Sequence, residues 1–249
     1  MDILHIVVLS IVEGLTEFLP VSSTGHLILT SRLLGIPATD FTKTFEIAIQ
    51  LGAIMAVVVL YFKRFLRDFD LYKKLLIAFI PTAIVGFVLY PFIKGFLLGS
   101  SSVTLISLFL GGLVLIFFNR ENVKGKEIGL KEAFLIGAFQ FVSVIPGVSR
   151  AAATIIGGLL VGLNRKKATE FSFLLAVPTM LAATGYDIYK SSSILNSQNL
   201  PSLTMGFTLS FVFALLAVKL LIGYVEKHDF KVFGIYRIAL SILYWVFVK

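Results

Sequence analysis

No cysteine occurs in the 249 residues, which excludes disulfides, thiolate metal sites and a cysteine nucleophile. Charge is sparse as well: 14% of the residues are charged against 57% hydrophobic, and mean hydropathy is +0.95. A soluble domain carries about 25% charged residues, so water is not the main solvent of this chain. No low-complexity linker divides it, and a single membrane domain over 1–249 is expected. The start, Met1-Asp2-Ile3, lacks the basic n-region and small-residue cleavage site of a secretory signal peptide and is read as part of the mature protein. The basic excess, 22 Lys and Arg against 14 Asp and Glu, falls between apolar runs and forms no continuous face. Nucleic acid is therefore not an expected partner, whereas membrane lipids are.

What is present is a series of ten apolar runs, at about 3–19, 26–36, 45–62, 75–92, 103–118, 130–145, 151–163, 171–189, 203–224 and 233–248. They fall into two groups of five. A spanning helix needs about 20 apolar residues, with about 17 near the lower limit. The second and seventh runs are too short, and Pro20 and Pro146 interrupt the approach to them. Each short run is expected to pair with its predecessor as a re-entrant helical hairpin. The expected fold is thus all-α: a polytopic membrane helical bundle whose two halves, about 1–120 and 121–249, each hold one re-entrant hairpin and three transmembrane helices. An odd number of crossings inverts the second half, giving an inverted-topology repeat. Pro20-x-x-Ser23 matches Pro146-x-x-Ser149 at an offset of 126, and Glu46 matches Glu170 at 124.

Charge tests this topology, because cytoplasmic loops gather Lys and Arg. On one side lie Lys63, Arg64, Arg67, Lys73, Lys74, Arg120, Lys124, Lys126, Lys131, Arg165, Lys166, Lys167, Lys227 and Lys231; opposite are Arg32, Lys43, Lys94, Lys190 and Lys249. The first hairpin then enters from the outer face and the second from the cytoplasm, so that their tips meet near the midplane.

Several polar residues sit where lipid does not tolerate them. Glu13 and Glu17 are four apart and share one helix face. Each buried carboxylate costs roughly 2.5 to 3.5 kcal/mol on translocon-type scales. A divalent cation that prefers oxygen, Mg2+ or Ca2+, satisfies both; an interfacial segment with both acids in water is the plainer alternative. Pro20 then stops one helix, and Ser22, Ser23 and Thr24 can cap the next. A helix N-terminus is an anion site, beside which Ser23 or His26 can act as nucleophile, acid or base. Otherwise the hydroxyls are only caps and His26 a core histidine.

The second hairpin replaces the acids with a cation, in Pro146-Gly147-Val148-Ser149-Arg150-Ala151-Ala152-Ala153-Thr154. Gly147 lets backbone approach a ligand, Ser149 stands as an N-cap, Arg150 offers a planar fork for phosphate oxygens, and Thr154 faces the same way one turn on. A plain ion pair of Arg150 with Glu13 or Glu17 also brings the hairpins together. Glu46 and Glu170 read as charges at helix N-termini, Gln50 and Asp187 as cavity-lining or interfacial, and Arg165-Lys166-Lys167 as a topology signal.

These two hairpins resemble the undecaprenyl-diphosphatase family, also called bacitracin-resistance proteins. The resemblance rests on Glu13-Gly-Leu-Thr-Glu17-Phe-Leu-Pro-Val-Ser-Ser23-Thr-Gly-His26 and on Pro146-Gly-Val-Ser149-Arg150-Ala-Ala-Ala-Thr154, with agreement of the run layout over nearly the whole chain. Ala151 stands where the family usually has a hydroxyl, which removes one secondary phosphate contact. The resemblance implies a multi-pass plasma-membrane enzyme that removes the terminal phosphate of a polyprenyl diphosphate on the extracytoplasmic side and regenerates a carrier for cell-wall glycans. It implies that Glu13 and Glu17 hold the metal, that Ser23 is the nucleophile and His26 its acid or base, and that Arg150, Ser149 and Thr154 bind the diphosphate. Ser22, Thr24 and Gly147 complete the expected substrate site. The expected partners are the polyprenyl diphosphate, membrane lipids and, as one assembly, a second copy of the chain in a homodimer. Inverted repeats with broken helices also suit alternating access, so a lipid-carrier flippase is the alternative.

Overall fold

A computed structural model of the chain describes residues 1–92, 100–118, 126–190 and 199–248, and side chains at 90–92 and 186–190 lie outside that description. Lys94, Arg120, Lys124 and Lys249 are outside the described residues, as are the side chains of Asp187 and Lys190. Every regular element among the described residues is helical. In chain order these are α1 (Ile3–Thr16), α2 (Ser23–Leu33), α3 (Asp40–Leu60), α4 (Phe62–Arg67), α5 (Phe69–Phe92), α6 (Ser101–Phe117), α7 (Leu130–Gln140), α8 (Arg150–Leu160), α9 (Arg165–Lys190), α10 (Leu200–Val225) and α11 (Lys231–Phe247), with a 3-10 turn over Phe141–Val144 after α7.

Each apolar run corresponds to one helix, so the all-α class follows from hydrophobic content in the way expected. The short basic α4 is additional; Tyr61, at φ −107° and ψ 17°, ends α3 and lets the chain turn into it. Among the described residues, four segments are long and apolar enough to cross a membrane, Asp40–Leu60, Phe69–Leu89, Arg165–Gly185 and Leu200–Val225. α6 and α11, 17 residues each, stand near the lower limit for spanning. Polar side chains close the helix starts: Asp2 accepts from the His5 N–H (2.8 Å), Thr39 from Thr42 (3.1 Å) and Ser100 from Val103 (3.3 Å).

The packing is reciprocal. α1 lies against α10 and α7 against α5, α3 packs on α10 and α9 on α5, and α6 pairs with α11. Small residues permit these approaches, as in membrane bundles generally. Gly52 presses on the Phe207 carbonyl and Gly137 on the Ala78 carbonyl, at separations that leave no room for a methyl group.

One face gathers the cations. Arg64 pairs with Glu170 (3.3 Å), Lys166 with Glu226 (2.7 Å), Lys167 with Glu127 (2.6 Å) and Lys126 with Glu132 (2.6 Å), which places α4, the approach to α7, the start of α9 and the end of α10 together. Hydrogen bonds from Lys167 and Lys166 hold the loop carboxyls Glu127 and Glu226 below their ordinary range. The expectation for Glu46 and Glu170 needs correction. Both lie more than a turn inside their helices, since the polar starts at Asp40 and Arg165 extend α3 and α9 beyond the apolar runs.

Candidate active site

Two breaks in helical structure build the site. α1 stops at Thr16 with Glu17 as its C-cap, and the Val21 N–H donates to the Leu19 carbonyl (2.8 Å) in the turn around Pro20. Ser22 then sits at φ 72°, its hydroxyl accepting from the Gly25 N–H (3.3 Å) at the start of α2. In the second break Ser149, at φ 78°, accepts from the Ala152 N–H (3.1 Å) at the start of α8. Ser22 and Ser149 are the non-glycine residues with positive φ among the described residues. Such conformations cost on the order of 1–3 kcal/mol each and cluster at functional sites. Cap geometry therefore pairs Ser22 with Ser149, one position away from the Pro-x-x-Ser match. The second turn is longer by one residue, Gly147 (φ 93°), whose close approach is to α6, where a methyl group would meet the Thr104 carbonyl and Ser107.

The first residues of α2 and α8 line a shared cavity of about 260 Å3. Its walls include Glu17, Ser22, Ser23 and Thr24 from the first break and Pro146, Gly147, Ser149 and Arg150 from the second. Ser143, Gln50 of α3 and Met180 and Thr184 of α9 complete it. Pro178 lies inside α9, so the Leu174 carbonyl lacks its helical donor just before this wall.

Glu17 joins the two breaks. One carboxylate oxygen accepts the Ser23 hydroxyl and the other accepts from Arg150 Nη2 at 2.8 Å, with side-chain exposures of 6% for Glu17 and 11% for Arg150. Arg150 also donates to the Ser172 carbonyl (2.9 Å), lies over the Phe18 ring at 5.5 Å and keeps its buried Nε–H without a partner among the described residues. A guanidinium has five N–H donors, so Arg150 keeps donors in reserve for an incoming anion.

Three expected residues lie outside the cavity walls. His26 is turned away from Ser23: Nδ1 is 2.8 Å from the Ser22 carbonyl and Nε2 is 2.7 Å from the Tyr236 hydroxyl. A carbonyl only accepts, so Nδ1 carries the proton and Nε2 of the neutral ring takes the Tyr236 hydroxyl. The group in contact with the Ser23 hydroxyl is Glu17, so the pairing of Ser23 with His26 as its acid or base is not found. Thr154 is fully buried behind Arg150, within 2.9 Å of the Arg150 carbonyl and 2.6 Å of the Ser172 hydroxyl, so it braces α8 against α9 instead of lining the cavity. Glu13 is also fully buried, and neither carboxylate oxygen has a hydrogen-bond partner among the described residues.

The sequence profile of the bacitracin resistance protein BacA matches residues 6–243. The chain belongs to the BacA family. A BacA-family relative from Aquifex aeolicus, an undecaprenyl-diphosphatase, is 55% identical over 247 residues, covering 97% of this chain and 96% of the relative. An undecaprenyl-diphosphatase from Persephonella marina is 55% identical over 255 residues with full coverage of both chains, and one from Wolinella succinogenes is 52% identical over 252 residues, covering 98% and 97%.

In this BacA-family chain one polar residue beside the site escapes a reading by motif. Arg237, fully buried in α11, donates hydrogen bonds into both turns. The signal that singles out Arg150 applies equally to it, since Arg237 lies within the apolar run at 233–248. No hydroxyl-rich or glycine-rich motif surrounds it, which is why it draws less notice.

Proposed function

We propose that the chain is a membrane phosphatase that hydrolyses undecaprenyl diphosphate, or a closely related polyprenyl diphosphate, to the monophosphate and inorganic phosphate. The observation that carries this reading is the Ser23–Glu17–Arg150 chain, which places a hydroxyl, its proton acceptor and a phosphate-binding cation in one cavity. Relatives that share about half of its residues bear the matching name. At about 260 Å3 the cavity is below the 300–1,000 Å3 of pockets that enclose a whole drug-sized ligand. It takes a diphosphate headgroup and leaves the polyprenyl tail in lipid.

Phosphoryl transfer asks mainly for positioning and charge neutralisation. The free N–H groups at the starts of α2 and α8 and the Arg150 fork meet the phosphate oxygens. Glu17 takes the Ser23 proton as Oγ attacks the terminal phosphorus; the bond to the bridging oxygen breaks and the lipid monophosphate leaves. Water then hydrolyses the phosphoserine. Direct attack by a water held on Glu17 gives the same products, and Ser23→Ala separates the two routes by abolishing only the first.

A divalent cation belongs to this reading. The pair of unpartnered, fully buried Glu13 oxygens fits a hard ion such as Mg2+ or Ca2+, which Glu13 and Glu17 would hold. When bound, such an ion neutralises charge that builds on the phosphate oxygens.

The reciprocal packing of α1 on α10 and α7 on α5 supports an inverted-topology repeat with two re-entrant hairpins, and the paired positive-φ serines support their equivalence. With the cation-rich face in the cytoplasm, Met180 and Thr184 lie roughly 22 to 29 Å along α9 from Arg165 at 1.5 Å per residue. That favours a cavity reached from the extracytoplasmic side of the plasma membrane.

The test is phosphate release from a polyprenyl diphosphate by protein purified in detergent, with and without chelator. Release that stops on chelation and returns with Mg2+ or Ca2+ is expected. A folded protein that releases nothing under any of these conditions removes the enzymatic reading and leaves carrier flipping.

A further inference from the structure

Arg237 is fully buried, and among the described residues no carboxylate pairs with it. A guanidinium has five N–H donors, and each one here is given to a backbone carbonyl. Nε donates to Leu108 (3.2 Å) and Nη2 to Ser107 (3.1 Å), both on α6. Nη1 donates to Pro20 (3.2 Å) in the first turn and to Val148 (3.0 Å) in the second, and Nη2 also donates to Gly147 (2.7 Å). Burying a charge without a counter-ion costs several kcal/mol after relaxation. Filling space between α6 and α11 needs only an apolar side chain, so packing does not account for this residue.

The place of the bonds does. Pro20 and Val148 are in opposite turns of the cavity, and a single nitrogen, Nη1, holds both. The other side-chain tie between the two breaks, among the described residues, is Glu17 to Arg150. A diphosphate that takes up Nη2 of Arg150 opens that tie, and Arg237 then remains as the link. Because a trans peptide sets C=O and N–H on opposite sides, drawing the Val148 carbonyl toward Arg237 also turns the N–H of Ser149, a residue that lines the cavity, away from Arg237.

We propose that Arg237 is a positioning residue for phosphoryl transfer: it binds the two turns through their carbonyls and keeps Ser23 and Arg150 at working separation after a diphosphate has parted Glu17 from Arg150. This rests on the diphosphatase reading. It differs from a general structural role in acting on the chemical step more than on the amount of folded protein.

Two variants test it independently. Arg237→Lys keeps the charge but has three donors in place of a five-donor fork. Gly111→Ala leaves Arg237 in place, yet its added methyl group overlaps the guanidinium, which five bonds prevent from moving freely. Gly223→Ala is the control, because a methyl group there meets nothing within 4 Å. Phosphate release is measured per folded molecule, judged by monodisperse elution and thermal unfolding. A misplacement of 1 Å costs on the order of 10²-fold in rate, so kcat is expected to fall about 100-fold in either variant with KM within about threefold of the parent. Either variant alone showing this in folded protein is sufficient. Full kcat in the folded variants overturns the proposal, and so does failure of both variants to fold, which makes Arg237 structural. If the parent itself releases no phosphate, the diphosphatase reading fails first, and that result is distinct from either outcome for Arg237.

Discussion

Glu17→Gln removes one charge from the centre of the site and keeps the side-chain shape. Glu17 is 7% exposed as a whole residue, and its carboxylate serves both Ser23 and, at 2.8 Å, Arg150. Two separate losses follow. Without its proton acceptor Ser23 forfeits general-base assistance, worth about 10²–10⁴ in rate or roughly 2.7 to 5.5 kcal/mol of barrier. Arg150 meanwhile loses its counter-ion. Removing one member of a buried pair costs about 3–5 kcal/mol, here reduced because a carboxamide oxygen still accepts and the cavity admits water. Freed from Glu17, Arg150 is more available to phosphate, so KM should hold or fall while kcat drops about 10³-fold and the unfolding temperature declines. Arg150→Ala should lower kcat/KM by a similar factor. Since both residues act through one hydrogen-bonded chain, their double variant should lose far less than the product of the two. The assay is phosphate release in detergent with kcat and KM resolved for all four proteins. Glu17→Gln with kcat within tenfold of the parent, or losses that simply multiply, would refute the reasoning.

His26→Gln and Tyr236→Phe should each reduce kcat less than about tenfold, with no further loss in the double variant, because the ring answers to Tyr236 and not to Ser23; a 10³-fold loss confined to His26→Gln would restore it as the base. Gly137→Ala forces a methyl group onto the Ala78 carbonyl between α7 and α5, and calorimetry or scanning fluorimetry should register about 1–3 kcal/mol of destabilisation, against little change for Gly223→Ala. In this cysteine-free chain, single cysteines at Lys43 and Lys166 allow labelling of intact cells. An impermeant reagent should modify the first and spare the second, and the reverse pattern would turn the cavity inward.

The two proline-interrupted helix pairs are legible in the sequence because the second and seventh apolar runs are too short to span and Pro20 and Pro146 break the approach to them, while the cost of Glu13, Glu17 and Arg150 in lipid draws notice to the same places. The meeting of Glu17 with Arg150 follows from the same cost, since a buried cation and a buried acid seek each other. Orientation inside the site is less legible. His26 lies one turn beyond Ser22 and three positions after Ser23, yet its Nε2 is taken by Tyr236 of α11, more than two hundred positions away. The one-position difference between the Pro20-x-x-Ser23 and Pro146-x-x-Ser149 match and the cap geometry has a local cause: the proline is not the feature that sets the cap, and with the extra Gly147 the cap that resembles Ser149 is Ser22. α4 escapes detection because six residues with three cations carry no apolar periodicity.

The cage of carbonyls around Arg237 also bears on how the protein is made. α11 leaves the ribosome after the segments it packs against, and a central arginine adds roughly 2.5 to 3.5 kcal/mol to the cost of its insertion on translocon scales. Every group that offsets this charge belongs to segments synthesised earlier, Pro20, Ser107, Leu108, Gly147 and Val148. α11 therefore enters the bilayer stably only where the preceding chain is already assembled to receive it, so the two turns are locked together only after both have been made.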